Sequence, residues 1–497
     1  MNCIPSIFSF VDTCGIGVLR RFIVEFVAIA MFAVAIPLQA QSTKPEPPAT
    51  PQAEVSQDLQ QRVEQLEAEV SELKALVKQL TSDTQAPQAA AAGTAATEPP
   101  VPPSDTAPRQ NFLTADDRKS LDFLHGTTIN LALDTYYEYN FNHPVGRVNL
   151  LRAYDALSNE FSLNQADVII DHPPDLAVGR RWGGRLDLQF GQAAGASQGN
   201  PDNEPRPDIY QDIFQVYGTY VVPIGKGLNI DFGKWASSLG AEGSYTKDQI
   251  NYSRSLWFSF LPFYHMGLRA NLPINDRFAV NYWVVNGTNQ AESTNGFKDE
   301  LFGFTAKPRK TLTWTMNYYL GQEHADRTPV DACGPISTLP GLCFVAIRPA
   351  PNGLTHIFDS YATWQATSKL TLQVEGDYVI QRLWRNQAPG ESSAPANVDG
   401  GAAYIQYQIT PKLALATRAE YMSDRGGLFS GITQALKENT VTFDYKMADG
   451  MLMRYEWRRD FSNRPSFLTD EQGIFSTEQS TTTVGLLWWW GRKEGAW

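Results

Sequence analysis

Histidine, cysteine and charge are all scarce in this chain, and each shortage removes a class of function. Six histidines are scattered over 497 residues, which is a poor basis for a catalytic centre built on an imidazole base. There is no Gly-x-Ser-x-Gly elbow, no His-Glu-x-x-His pair and no phosphate-cradling glycine loop. No enzyme activity, catalytic residue, metal or cofactor is therefore expected. Only 19% of residues are charged, the formal net charge is −12, and no basic patch offers nucleic acid a footprint. Downstream of residue 40 no apolar run reaches about 18 residues, so no membrane-spanning helix is expected.

What is present is a rhythm of connectors. Short turns such as Lys307-Pro308-Arg309, Thr410-Pro411-Lys412 and Ala448-Asp449-Gly450 alternate with long polar loops at 322–353, 383–399 and 461–478. Between them the pattern has a period of two. Leu312, Trp314, Met316, Tyr318 and Leu320 share one face, while Thr311, Thr313, Thr315 and Asn317 share the other. Short turns on one side, long loops on the other and one greasy face are the marks of an outer-membrane barrel. The candidates run from 126–140 to 479–490 and number about 16, within a range of about 14 to 18. The fold class expected is all-β, a transmembrane antiparallel up-and-down barrel over 125–490. An even count puts both chain ends in the periplasm and every long loop outside.

The segment before the barrel divides by composition. Residues 1–40 read as a signal peptide, with Arg20-Arg21, an apolar stretch Phe22 to Ile36 and the small-residue site Leu38-Gln39-Ala40. A Pro-rich tether (41–58) precedes a heptad repeat over 59–80. Leu59, Val63, Leu66, Val70, Leu73, Val77 and Leu80 keep 4-3 spacing, with valine at a and leucine at d, a parallel two-stranded preference that leaves trimers open. An Ala/Pro-rich linker (81–112) and a short helix (113–124) follow, and 491–497 form a tail. Cys3 and Cys14 leave with the signal. Cys333 and Cys343 remain in one long loop and are a candidate disulfide, since an exported chain meets an oxidising compartment.

The last strand carries a polar residue, a glycine and alternate aromatics: Thr483, Gly485, Trp488 and Trp490. It is similar to the C-terminal signal read by the barrel-assembly machinery, although seven residues follow it. The stretches Tyr136 to Pro144, Asn159 to Ala166, Arg185 to Gly191 and Asn317 to Gly321 resemble the beta-barrel porin-2 (OmpL-like) family. The resemblance covers about residues 112–490 and rests on strand patterns. It implies an outer-membrane barrel of pore function and supplies no substrate.

If the apolar face meets lipid, the inward set includes Arg185, Asp187, Glu375, Asp377, Arg418, Glu420, Arg454, Glu456 and Arg458. These are the candidate pore-lining residues, because Arg or Lys on the lipid side at mid-bilayer costs roughly 2–4 kcal/mol. Loop 240–258 is a candidate constriction, with Lys247, Asp248, Tyr252 and Arg254. The function expected is passive diffusion of small hydrophilic solutes or ions through a water-filled barrel. The alternative is a structural or surface-binding barrel with a plugged lumen. Expected partners are outer-membrane lipids, the barrel-assembly machinery, further copies of the chain as a dimer or trimer, and peptidoglycan reached by the coiled coil. Deleting residues 59–80 should weaken oligomerisation on native gels and in light scattering; an unchanged oligomer gives the heptads another role.

Overall fold

The computed structural model describes residues 121, 124–198, 204, 207–329, 344–346, 353–384 and 393–491. The signal segment, tether, heptad repeat, linker, Cys333 and Cys343 lie outside these residues. So does the expected helix 113–124 apart from Leu121 and Leu124, and the tail beyond Gly491. Among the described residues, no helix is long and apolar enough to cross a membrane.

The first eight barrel strands are β1 (Thr128–Asn140), β2 (Glu160–His172), β3 (Trp182–Phe190), β4 (Ile213–Val222), β5 (Leu228–Ala236), β6 (Tyr264–Asn275), β7 (Phe278–Val285) and β8 (Asp299–Arg309). The rest are β9 (Leu312–Gln322), β10 (Leu354–Gln365), β11 (Leu370–Trp384), β12 (Ser393–Thr410), β13 (Leu413–Arg425), β14 (Gln434–Ala448), β15 (Met451–Ser462) and β16 (Glu478–Gly491). Each pairs antiparallel with its neighbour in sequence, and β16 closes on β1 from Asn130–Gly491 to Asn140–Thr481. The sixteen-strand closed barrel expected from the sequence is the fold. Closure matters physically, because an unpaired edge in hydrocarbon would leave a row of peptide groups without partners.

The two faces separate as the period-two pattern requires. Phe161, Phe232, Trp182, Trp490 and Val374 project outward and are exposed, as lipid-facing side chains are in an isolated chain. Outward rings pair across strands, with Phe304 and Trp314 at 5.0 Å and Tyr282 and Phe302 at 4.7 Å. On β9, Trp314 and Met316 are exposed while Thr315 and Asn317 are buried, so the greasy and polar faces fall as read from the sequence.

The turns are shorter than expected, for a local reason. Lys307-Pro308-Arg309 belongs to β8, where pairing jumps from Ala306–Trp314 to Arg309–Leu312. Proline has no N–H to give the ladder, so the strand bulges there and the turn falls at Lys310 and Thr311. Thr410 likewise still pairs with Leu413. In the third case Ala448 pairs with Met451, leaving Asp449-Gly450 as the turn, and Gly450 takes φ 74°, which a residue with a Cβ adopts only under strain. At another turn end the Lys226 ammonium hydrogen-bonds Asp276 and holds its carboxyl below the usual range.

Two long loops also differ from expectation. The loop placed at 383–399 is shorter, because β12 starts at Ser393 and pairs back along β11 to Trp384. Small residues and Pro395 hide that extension from an apolar pattern. The loops at 322–353 and 461–478 each contain a two-stranded hairpin, Arg327–Pro329 with Phe344–Ala346 and Phe467–Leu468 with Phe475–Ser476.

Phe232 stands outward in mid-strand on β5 and is 67% exposed. Phe232→Arg should lower unfolding free energy in lipid by roughly 2–4 kcal/mol, measured by urea titration of the vesicle-inserted protein, while Phe232→Leu should behave as wild type.

Candidate functional site: the inward loop and the charged wall

The segment between β5 and β6, residues 237–263, folds into the barrel instead of standing above it. Its backbone would be left without water there, and buried peptide groups demand partners. The wall supplies them. Glu456 accepts from the N–H groups of Tyr252 at 2.6 Å and Ser253 at 2.9 Å. Glu420 accepts from Leu256 N–H at 2.9 Å, Asp359 from Gly240 at 3.0 Å and Glu375 from Ala241 at 3.0 Å.

Arginines on the same wall take the loop carbonyls. Arg454 donates to the carbonyls of Thr246 at 2.7 Å, Gln249 at 2.6 Å and Asn251 at 3.1 Å. Arg418 donates to Ser253 C=O at 2.7 Å and Arg254 C=O at 3.3 Å, and Arg458 also reaches Arg254 C=O. Arg418 is the hub. It pairs with Glu438 at 3.0 Å and Glu420 at 3.4 Å on the wall, and with Glu242 of the loop at 2.9 Å. A guanidinium suits this place because its five donors fan out in a plane and it keeps its charge when buried.

The loop also braces itself. Arg254 donates to the carbonyls of Gly243, Tyr252 and Ser244 at 2.8–3.0 Å, with its guanidinium 4.9 Å from the Tyr154 ring. Ser255 caps the short helix Leu256–Phe260 through Phe258 N–H. That helix carries Leu256 and Trp257 into an apolar cluster with Val398, Met422 and Leu436 from the wall. On the opposite side Tyr252 donates to Asp134 at 2.8 Å and Tyr245 donates to Asp187. A Cβ at Gly485 would stand 2.4 Å from the Tyr252 ring, so that position on β16 needs glycine to seat the tyrosine.

Other outer loops close over this one. Tyr154 donates or accepts with Ser244 at 2.7 Å, and Arg152 pairs with Asp460 at 2.8 Å and with Asp155. Burial opposes charge on Arg152, but Asp155, Asp460 and Glu138 more than offset it and hold its proton more firmly than usual. Phe467, from the hairpin before β16, is fully buried in the apolar cluster.

The result is a narrowed cross-section. Every barrel strand contributes at least one buried inward side chain, as Asp187, His265, Tyr319 and Arg418 do at wide intervals round the wall. Small cavities flank the loop, of about 30 Å³ beside Phe214 and Phe258 and about 10 Å³ beside Asp134 and Tyr245, room for a water or two. The inward residues nearer the short-turn end are more open: Arg269, paired with Asp231 at 2.6 Å, has a side chain 22% exposed, and Asn271 is exposed.

The nine inward residues read from the sequence all face the interior, but they form separate groups. Arg418, Glu420, Glu456 and Arg458 meet around the loop, and Arg454 pairs with Asp444 at 3.0 Å. Arg185 and Asp187 pair at 2.8 Å on β3, while Glu375 and Asp377 sit on β11 close to Asp359 of β10. Tyr252 and Arg254 lie buried inside the loop, and Lys247 pairs with Asp248 at 2.7 Å. Of the residues read as an assembly signal, Thr483 points inward and is buried, and Trp490 points outward and is exposed. Trp488 shares the outward phase and Gly485 the inward one. Asp134, Glu138, Glu438 and Asp460 were missed, although each lies in the inward phase of its strand. Glu242 and Arg152 carry no periodic signal, since loops have none.

Sequence comparison adds a family. The model of "Putative beta-barrel porin-2, OmpL-like" matches residues 126–487. No curated protein matches the chain. Among solved structures, a loop L8 deletion mutant of OmpT, an outer membrane protein of Vibrio cholerae, aligns at 12% identity and TM-score 0.44, covering 73% of this chain and 99% of its own. An anion-selective porin from Comamonas acidovorans aligns at 7% and 0.44, covering 73% and 99%. OprB of Pseudomonas putida aligns at 12% and 0.43, covering 76% and 96%.

Removing the hub should loosen the loop. Arg418→Met leaves Glu242 and Glu420 buried without a paired cation and Glu438 with Arg458 at 3.7 Å alone, and should cost about 3–5 kcal/mol in urea unfolding. The double variant Arg418→Met/Glu438→Gln should recover part of that loss; no recovery would mean that the Arg418–Glu438 pair is not what the single variant breaks.

Proposed function

Since the chain belongs to the Putative beta-barrel porin-2, OmpL-like family, we propose that it is an outer-membrane porin passing small ions and small hydrophilic solutes by passive diffusion. The observation that carries this reading is the inward loop 237–263, held by wall charges inside a sixteen-strand barrel. A barrel of this size without a filling segment is wide enough for an aqueous channel. The loop narrows it to a restricted passage. The loop's hydrogen bonds concentrate on β1–β3, β9–β11 and β13–β15, so the route proposed runs along β4–β7, past Asp231, Arg269 and Asn271. In this reading Lys247, Asp248, Tyr252 and Arg254 belong to the constriction, and the inward charges orient what passes.

Buried inward carboxylates outnumber basic groups on the wall, which favours a weak cation preference. The heptads at 59–80 would join copies of the chain in the periplasm and reach toward peptidoglycan, and Thr483, Gly485, Trp488 and Trp490 would be read during barrel assembly. The second reading, a plugged barrel acting as a surface anchor, draws on the buried inward side chains that every strand contributes.

Planar-bilayer recording separates the two. The wild-type protein should give small, discrete conductance steps, and deleting residues 243–254 should enlarge them several-fold. Wild-type steps indistinguishable from zero would sink the diffusion pore and leave the anchor. Under a salt gradient the reversal potential should favour cations; a clear anion preference would refute the assignment of selectivity to the acidic wall.

A further inference from the structure

We propose that Asp359, Glu375 and Asp377 form a calcium-binding site that clamps the root of the inward loop to the barrel wall. Register creates the cluster. Asp359 on β10 pairs directly with Asp377 on β11, and Glu375 follows two residues along the same inward face. Like charges placed opposite one another across two strands repel. Here all three side chains are more than nine-tenths buried, and one carboxylate oxygen from each lies within 4.8 Å of the others. Two ligands on opposite sides of a calcium ion, each at about 2.4 Å, would be separated by a similar distance.

A second observation points to a missing positive charge. Both carboxylate oxygens of Asp377 are buried with no hydrogen-bond partner. Among the described residues, no ion pair reaches Asp359, Glu375 or Asp377, whereas the inward arginines Arg185, Arg418, Arg454 and Arg458 are all paired with other carboxylates. Three carboxyl groups in such a place either share protons or hold a cation. The neighbouring wall leaves space for the ion. On β12, Gly400 stands opposite Asp377 and Ala402 opposite Glu375; further along the strand the Tyr404 hydroxyl donates to Glu375 at 3.4 Å, and the position facing Asp377 carries no side chain. An all-oxygen, hard-ligand set with three negative charges suits calcium and offers nothing to the softer metals.

The consequence for the loop follows from the remaining bonds. Asp359 and Glu375 each keep one oxygen on a loop N–H, Gly240 and Ala241 respectively, and Asn317 donates to Asp359 at 2.7 Å. The ion would lock together the two carboxylates that fasten the start of the loop. This inference depends on the fold alone and is independent of whether the barrel conducts.

The test uses the full-length protein in detergent, stripped with EDTA and dialysed to equilibrium against radioactive calcium chloride. Near-stoichiometric calcium should be retained, and EDTA should lower the wild-type melting temperature reversibly. Asp377→Asn removes a repelling charge and should fold normally by circular dichroism, yet it should weaken calcium binding roughly tenfold or more, as should Glu375→Gln. No calcium retained by the wild-type protein overturns the proposal without recourse to either variant. Undiminished binding in both variants also overturns it, by placing the ion elsewhere.

Discussion

Everything inside this barrel depends on one constraint: the peptide groups of a loop cannot be taken out of water without replacement partners. The segment 237–263 enters the lumen with little regular structure of its own beyond a single 3-10 turn, Thr246–Asp248, and the short helix Leu256–Phe260. Glutamates and aspartates of the wall meet its N–H groups, and arginines meet its carbonyls. Charged partners suit this task because hydrogen bonds to ionised groups are stronger than neutral ones. The same bonds give the buried wall charges hydrogen-bond partners, so loop and wall each make the other tolerable.

That reciprocity explains the uneven chemistry of the wall. Where the loop presents backbone, on β13 to β15, the inward face carries alternating charges such as Arg454, Glu456, Arg458 and Asp460. Where it presents the helix with Leu256 and Trp257, the wall answers with Val398, Met422 and Leu436. Facing β6 and β7 the chemistry changes again: Arg269 lies within 6 Å of the rings of Tyr217, Trp235 and Trp283. A channel threaded through this section would feel a different field on each side.

Legibility followed periodicity. The strands were readable because lipid and lumen impose opposite demands on successive residues, so Trp314 and Asn317 sort themselves by parity alone. Parity also placed Arg418, Glu420, Arg454 and Glu456 on the inner face. It failed where the pattern thins, as in the small residues and proline that open β12, and where proline shifted a turn into a bulge at Pro308. Asp134, Glu138, Glu438 and Asp460 were within its reach and would have emerged had the inward phase been followed along every strand.

By itself the sequence determined an antiparallel barrel of about sixteen strands, within a range of about 14 to 18, its greasy exterior and its polar inward set, because those follow from a two-residue repeat acting strand by strand. Only the tertiary structure decided what those inward groups touch. That Arg418 meets Glu242, that Tyr252 requires a glycine at 485, and that Asp359 stands opposite Asp377 are matters of closure and register. The first two join residues far apart in the chain, and the third turns on the exact register of a hairpin, neither of which a two-residue repeat encodes.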